Sequence, residues 1–510
     1  MNNQNQTILG HPRGLFYLFF AELWERFSFY GMKALLILYM TKHLLYYDDM
    51  SYGIFAAYMS LVYVTPLIGG ILADKILGFS KSIILGGVLM ALGHFFLTIE
   101  QPIFFYGSLA LIIVGNGFFK PNISSLVGEL YTNNNEKRDA GFTIFYLGIN
   151  IGAAIAPLLC AWLAELYGWH YGFILAGIGM VAGLFVFNRG LKKDVFQGKG
   201  KAPVIPQKNK SIINDTTKII IGALVSVPLF ALVIKYNQFE HYLVWVVSVF
   251  IIGYLIKIFK SVSTLEKKRL SVVIYFTSLY VLFSAIFEQA GSSLTLFADR
   301  NVNLVGMNAA GTNSINAGFI MLLAIPFSIL WTYLTKKGKN PNSAIKFSFG
   351  MILLGVGFVV FAMSATSADA FAKTTMSYLV IGYLILTIGE LFLSPIGLSK
   401  MTELSPIKYL SFIMGIWLSA NFYGHFFAGK IAKLTVNNGG ESVFSVDIFS
   451  NIIEFFTGMN GKNISGNPEA FQQLYAYVSI YASFGVISIL VGIFALLLSP
   501  AIKKLMGEIQ

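Results

Sequence analysis

The sequence has little charge and almost no cysteine. Only 12% of its 510 residues are Asp, Glu, Lys or Arg, where an ordinary soluble domain carries about 25%. A water-soluble fold is therefore excluded. The single cysteine, Cys160, has no partner in the chain, so no intrachain disulfide stabilises the fold.

Apolar residues take the place of the missing charge. The chain is 56% hydrophobic and has a mean hydropathy of +0.70. A run of about 20 apolar residues crosses a hydrocarbon core about 30 Å thick. The sequence contains fourteen such runs, at 15–42, 51–73, 80–99, 103–126, 141–165, 169–188, 216–235, 242–259, 271–297, 312–335, 346–366, 376–399, 408–432 and 472–499. These runs predict an all-α polytopic membrane protein with fourteen transmembrane helices.

The net charge of +12 is accounted for by membrane orientation. Placing the amino terminus in the cytoplasm leaves most of the 36 basic residues inside. Because Lys and Arg resist translocation, both termini are predicted to be cytoplasmic. The same distribution leaves no reason to expect a nucleic acid partner. Seven basic residues fall outside, namely Lys42, Lys235, Arg300, Lys373, Lys430, Lys433 and Lys462.

The tract from Arg189 to Lys218 is polar, basic and interrupted by Gly and Pro, as linkers are. Runs seven and eight carry no charge at mid-depth, whereas the six runs on either side contain ionisable residues. We predict a six-helix bundle at 1–188, a linker with two inserted helices at 189–270, and a second six-helix bundle at 271–510. This plan resembles secondary transporters of the major facilitator type, which hold their substrate near the midplane.

Seven ionisable residues are predicted to lie inside the membrane, where each costs about 2.5–3.5 kcal/mol on insertion scales. They are Glu22, Glu25, Arg26 and Lys33 in the first run, Lys120 in the fourth, Glu288 in the ninth and Glu390 in the twelfth. The residues of the first run follow the three-to-four spacing of one helical face, so this stripe is predicted to face a cavity. Structural ion pairs that hold helices together are the alternative interpretation.

These seven residues comprise four carboxylates and three cations, so full pairing leaves one acid over. An unpaired carboxyl in a low-dielectric cavity becomes neutral by taking up a proton, which is the property of a proton carrier. The cations lie in the first half of the chain, whereas Glu288 and Glu390 lie in the second. This polarity suits a zwitterion such as an amino acid or a short peptide.

Five ordered motifs carry a family resemblance. Residues 21–32, AELWERFSFYGM, resemble the ExxERFxYYG signature of the proton-dependent oligopeptide transporter (POT) family. The other four are GGILADK at 69–75, FFKPNISSLVG at 118–128, FEQAGSS at 287–293 and ELFLSPIG at 390–397. The resemblance covers nearly the whole chain, and the two extra helices are similar to those of bacterial members.

The resemblance implies a major facilitator fold and a proton-coupled symporter. Such a protein imports di- and tripeptides across the bacterial cytoplasmic membrane by alternating access, works as a monomer, and uses the proton rather than a cofactor. A proton-coupled carrier of nitrate-like anions or other small solutes is the alternative within the family, but the acids make the site too negative for a small anion. An intramembrane enzyme is not expected, because no catalytic arrangement or metal ligand set is recognisable.

Roles of individual residues also follow from the resemblance. Glu22, Glu25 and Arg26 would form the proton-coupling group, with Lys120 as its partner across the cavity. Glu288 matches an acidic position that helps to control the outer gate, by pairing with Lys33.

The resemblance places the peptide between the two halves. Glu390 and Asn316 would bind its amino terminus, and Asn150 would bond its backbone, although Asn150 could instead make an interhelical hydrogen bond. Ordinary packing is the alternative for the two aromatic residues of the pocket wall. The remaining substrate-binding residues are Lys33, Lys120 and Tyr30 for the carboxylate, and Tyr63 and Trp417 for the wall.

Several positions depart from the family pattern. Phe29 stands where the first Tyr of a pair is common, Lys33 replaces a common Arg, Ala317 follows Asn316 where Pro is usual, and Ala56 occupies the place of a histidine found in animal relatives. Proton coupling is therefore predicted to rest on carboxylates. No histidine is predicted to share a face with the charged group, and the six are His11, His43, His94, His170, His241 and His425.

Overall fold

The computed structural model describes residues 7–131, 137–202, 214–436, 447–459 and 468–507. The middle of the predicted linker, residues 203–213, lies outside this part. The described helices are α1 (Arg13–Leu38), α2 (Asp48–Leu72), α3 (Phe79–Phe96), α4 (Pro102–Leu130), α5 (Arg138–Tyr167), α6 (Trp169–Lys192), α7 (Asp215–Lys235), α8 (Glu240–Ser261), α9 (Thr264–Phe287), α10 (Ser293–Asn301), α11 (Ser314–Lys336), α12 (Ser343–Met363), α13 (Met376–Leu404), α14 (Leu410–Lys433), α15 (Asp447–Thr457) and α16 (Glu469–Met506).

Each of the fourteen apolar runs coincides with a long helix. The ninth run is broken by a 3₁₀ turn at Glu288–Gly291, which separates α9 from α10. In the described part, twelve helices are long and apolar enough to cross a membrane. Helix α1, with its charged stripe, and α14 complete the fourteen. Helix α15, only 11 residues long, lies between the last two runs and was not predicted.

Two compact units divide the chain. The first consists of Met1–Tyr39 and Ala57–Asn237. In it α1 packs against α5 and α6, α3 packs against α4 and α6, and α7 packs on α4. Glycines allow close packing of α3 and α4, because a Cβ atom on Gly115 would lie 2.6 Å from the carbonyl oxygen of Gly86.

Gly152 sets the approach of α5 to α1. A Cβ atom at Gly152 would lie 2.6 Å from the carbonyl oxygen of Leu23 and 3.0 Å from Cβ of Arg26. We expect Gly152→Leu to destabilise the protein by about 1–3 kcal/mol through overpacking, measured as a lower melting temperature in detergent. Gly253→Leu in α8 is the control, since a Cβ atom there meets nothing within 4 Å. Equal melting temperatures for the two variants would contradict the close approach.

The second unit consists of Met40–Ala56 and Gln238–Gln510. Helix α12 packs against α13 and α16, α9 packs against α14, and α11 packs against α13. A two-residue parallel ladder pairs β3 (Val302–Asn303) with β4 (Thr374–Thr375). In the first unit, β1 (Thr7–Ile8) pairs antiparallel with β2 (His11–Pro12).

Ion pairs tie the segment Met40–Ala56 to the rest of the second unit. Arg300 makes a two-pronged contact with Asp48, with N···O distances of 2.5 and 2.8 Å. The segment therefore belongs with the second half of the chain, although its sequence position is in the first. The other two pairs are Lys42 with Asp299 at 2.5 Å and Asp49 with Lys433 at 3.2 Å.

The two inserted helices, α7 and α8, expose much apolar surface. Ala223 and its neighbours in α7 join a hydrophobic cluster with α3 and α4, but Leu229 is exposed, as are Trp245 and Phe250 in α8. Such faces on helices of 21 and 22 residues suit contact with lipid. The contacts place α7 in the first unit and α8 in the second. The boundaries 1–188, 189–270 and 271–510 stay a prediction.

Candidate functional site

A buried group of alternating charges lies on α1 and α4 of the first unit. Glu22 and Glu25 are 0% exposed and Arg26 is 6% exposed. Arg26 donates from Nε and Nη2 to the two carboxylate oxygens of Glu25, both at 2.5 Å, and its Nε lies 3.7 Å from Oε1 of Glu22. Lys120 donates to Oε1 of Glu22. The two acids and two bases predicted to act together are thus in contact, and their formal charges cancel.

Helical spacing explains how α1 builds this group. Residues three and four positions apart share a helical face, so Glu22 and Glu25 lie one turn apart, with Arg26 four residues after Glu22. The rings of Phe29 and Tyr30 lie 4.9 and 5.7 Å from Cζ of Arg26, within the range of cation–π attraction. The phenyl ring at position 29 thus keeps an aromatic contact with the guanidinium.

Sequence reasoning missed Asn116. Its Oδ1 accepts a hydrogen bond from Nη2 of Arg26 at 3.4 Å, and its Nδ2 donates to the carbonyl of Val62 at 3.0 Å. Asn116 precedes Lys120 by one helical turn, so the two side chains share a face of α4. This spacing was the signal in the sequence that Asn116 also lies near the charged group of α1. Oε2 of Glu22 has no hydrogen-bond partner among the described residues.

The other predicted site residues of the first unit lie on α1, α2 and α5. Tyr30, Lys33 and Tyr63 are each partly buried. Asn150 is buried and donates from Nδ2 to the carbonyl of Tyr146 in its own helix at 3.0 Å, rather than to another helix. The predicted pairing of Lys33 with Glu288 stays a prediction.

A second polar group lies on α11 and α13 of the second unit. Asn316 donates from Nδ2 to Oε2 of Glu390 at 3.1 Å and to Oγ1 of Thr387 at 3.0 Å. These contacts bring together the two residues that were predicted to bind one end of the substrate. Glu390 is partly buried, and Asn316 orients its carboxylate.

Trp417, in the same unit, is a stacked aromatic residue. It is buried, and its ring stacks on that of Tyr280 with a centroid distance of 4.5 Å and an interplanar angle of 20°. Tyr280 also donates to Oδ1 of Asn421 at 3.3 Å. The predicted wall residue is therefore held by α9, in a contact that no sequence spacing indicates.

Comparisons with known proteins identify the family of the chain. A family model described as the POT family matches residues 80–445. The peptide transporter YePEPT of Yersinia enterocolitica is 37% identical over 84% of this chain and 88% of its own length. The chain belongs to the POT family. A di-/tripeptide transporter of Lactococcus lactis is 31% identical over 100% of this chain and 99% of its own. The crystal structure of peptide transporter POT in complex with sulfate is 30% identical, covers 99% of both chains and has a TM-score of 0.81.

Membership of the POT family confirms two of the predictions made from the sequence. The family prediction is confirmed, and so is the all-α membrane architecture of the major facilitator type. The relatives are multi-pass membrane transporters, which form a class distinct from enzymes. The roles of individual residues remain predictions.

One contact in this POT chain was not predicted, because the sequence-based expectation concerned only histidines that share a helical face with the charged group. Nε2 of His425 lies 3.7 Å from Oε1 of Glu288. His425 follows Trp417 by eight residues, or two helical turns, so it lies on the same face of α14. The spacing of Trp417 and His425 indicates that both side chains lie on one face of α14. It predicts a contact with Glu288 only once α14 is known to pack on α9.

Proposed function

We propose that this protein is a proton-coupled symporter that imports di- and tripeptides by alternating access. The buried pairing of Glu22 with Lys120 and of Glu25 with Arg26 is the observation that carries the proposal. A simple structural pair needs one acid and one base, whereas this group has two acids and two bases. One carboxylate oxygen of the group, Oε2 of Glu22, has no hydrogen-bond partner among the described residues. The Yersinia relative is a peptide transporter and the Lactococcus relative is a di-/tripeptide transporter, and these relatives supply the substrate class.

We assign proton coupling to Glu22, Glu25, Arg26, Lys120 and Glu288. A proton on one carboxyl of the α1 group releases the cation paired with it. That cation then becomes available to the carboxylate of a peptide, which is how binding of the proton and of the substrate would be linked. One proton moving down 100 mV supplies about 2.3 kcal/mol, enough for roughly fifty-fold accumulation of a neutral zwitterion.

The peptide's two termini would be bound by opposite charges. Glu390, oriented by Asn316, attracts the ammonium group, and the cations of the first unit attract the carboxylate. Asn150 is assigned to the peptide backbone, and Trp417 with Tyr63 to the side chains. The residues assigned to the peptide carboxylate are Tyr30, Lys33 and Lys120.

The proposal includes location and assembly. The excess of Lys and Arg in the predicted inner segments favours cytoplasmic termini, in the cytoplasmic membrane of a bacterium. Each chain carries both groups of residues, so a monomer has all the parts needed for transport.

Reconstitution into liposomes tests the function. With an inward proton gradient, labelled di- and tripeptides should accumulate inside, and a proton ionophore should abolish the accumulation. Labelled free amino acids and nitrate serve as comparison substrates in the same vesicles. Gradient-driven uptake of nitrate without uptake of peptides would replace this proposal with the anion carrier.

Glu390→Gln tests the binding of the amino terminus. We expect this variant to bind peptides with a free amino terminus at least about tenfold more weakly, because a hydrogen bond to a charged group contributes about 1.5–3 kcal/mol. N-acetylated peptides, which lack the ammonium group, should lose little. Competition against a labelled peptide measures both classes. Glu403→Gln in α13 is the control, since Glu403 pairs with Lys400 and is exposed. Equal losses for both classes would remove Glu390 from the amino-terminal site.

A further inference from the structure

His425 is a buried ionisable group that the roles assigned above do not use. It is 1% exposed, in the middle of α14, and its Nε2 lies 3.7 Å from a carboxylate oxygen of Glu288. An imidazole is the side chain whose unperturbed charge change falls between pH 5 and 8. This separation lies within the limit of about 4 Å for an ion pair when the imidazole is protonated.

The local structure fixes this pair. Gln289, the residue after Glu288, is buried and donates from Nε2 to the carbonyl of Ala285 at 3.1 Å and to the carbonyl of Ala428 at 3.0 Å. The bond to Ala428 attaches the 3₁₀ turn to α14 about one turn away from His425. Gly424 adds to the fit, because any Cβ atom there would collide with Ser284 of α9.

Other charged groups lie on the elements that pack around His425 in the second unit. Glu390, in α13, is a second carboxylate of this unit, and like charges repel each other. In α14 itself, Nζ of Lys430 lies over the ring of Phe426 at 5.4 Å. Lys433, also in α14, pairs with Asp49 at the start of α2, beside Asp48. The other charged groups on elements that contact α14 are Glu266, Lys267, Lys268 and Arg269 in the first two turns of α9, Glu240, Lys257 and Lys260 in α8, Lys400 and Glu403 near the end of α13, and Lys408 just before α14.

We propose that His425 and Glu288 together hold one coupling proton, with the imidazole as its principal site. The inference rests on the proposed function and adds a residue to its proton path. With the proton bound, an imidazolium faces a carboxylate and the pair is neutral. When the proton leaves, a neutral imidazole faces the carboxylate and the pair carries one negative charge.

His425→Gln and His425→Asn test this assignment. Their amides can still donate a hydrogen bond, but they do not titrate. The proton must then bind to Glu288 alone, and an unperturbed carboxyl titrates about two pH units below an imidazole. We expect the midpoint of the external-pH profile of driven uptake to move to lower pH by about one unit or more. His94→Gln, at another buried histidine, in α3, should keep the wild-type midpoint.

Peptide-for-peptide exchange without a gradient and melting temperature are measured on the same preparations. Failure of the wild type to transport any peptide would overturn the proposed function. Peptide uptake by the wild type, with an unchanged midpoint in either folded His425 variant, would overturn only this inference. Loss of exchange together with driven uptake in the folded variants would assign His425 to the shape of the pocket and would also overturn it.

Discussion

Glu22→Gln and Glu25→Gln are each expected to abolish gradient-driven accumulation of peptide, while peptide-for-peptide exchange continues. Accumulation should fall from roughly fifty-fold at 100 mV to about equal concentrations on the two sides. The reason lies in the contacts of α1, because Glu22 accepts from Lys120 and Glu25 accepts from Arg26. A glutamine at either position cannot gain or lose the proton that would break and restore its ion pair. Exchange needs no net proton movement, so it does not require that change.

Driven uptake, counterflow and melting temperature should be measured on one preparation of each variant. Glu165→Gln is the matched control, because Glu165 is an exposed acid of the first unit. If the two glutamates only hold α1 against α4, all three measurements will fall together. Full driven uptake in both variants would remove α1 from the proton path and leave Glu288 with His425 as the carrier.

Arg26→Gln is expected to cause the largest loss of stability. Removing one partner of a buried ion pair costs about 3–5 kcal/mol, because the other charge stays buried without compensation. Here the loss would leave Glu25 without its two-pronged donor and Glu22 with Lys120 alone. A lower melting temperature and a smaller yield of folded protein in detergent measure the effect. Arg138→Gln is the control, because Arg138 is exposed at the start of α5.

A second substitution separates charge from shape. The double variant Arg26→Gln with Glu25→Gln removes the uncompensated carboxylate, so it should be more stable than Arg26→Gln alone. Double-mutant cycles between contacting groups give coupling energies of about 0.5–3 kcal/mol. Equal stability of the single and double variants would show that Arg26 acts through packing against Phe29 and Tyr30 rather than through its charge.

Periodicity explains which features were predictable from the sequence. Lipid requires each span to satisfy its own backbone hydrogen bonds, so apolar runs of the right length indicate helices. Each run forms one long helix except the ninth, which the 3₁₀ turn at Glu288–Gly291 divides into α9 and α10. The charged stripe of α1 was predictable for the same kind of reason, because Glu22, Glu25 and Arg26 lie within a single turn. Contacts within one helix depend on spacing alone.

Contacts between helices depend on packing that spacing does not determine. Asn316 and Glu390 are 74 residues apart. From the sequence, only the family resemblance predicted that they act at the same end of the substrate. His425 was passed over because its partner Glu288 lies on another helix, at a 3₁₀ turn that interrupts an apolar run. Asn116 was missed because an amide within an apolar helix is equally consistent with ordinary packing.

The ion pairs of Met40–Ala56 have a consequence for the order of folding during synthesis. Lys42 precedes Asp299 by 257 residues, and Asp48 precedes Arg300 by 252. At about 5–20 residues per second, the ribosome needs about 13–50 s to make the intervening chain. Until then the segment after α1 and the start of α2 lack these ionic partners. A nascent chain that stops at Ala202 contains six helices of the first unit, but it cannot form any of these three ion pairs.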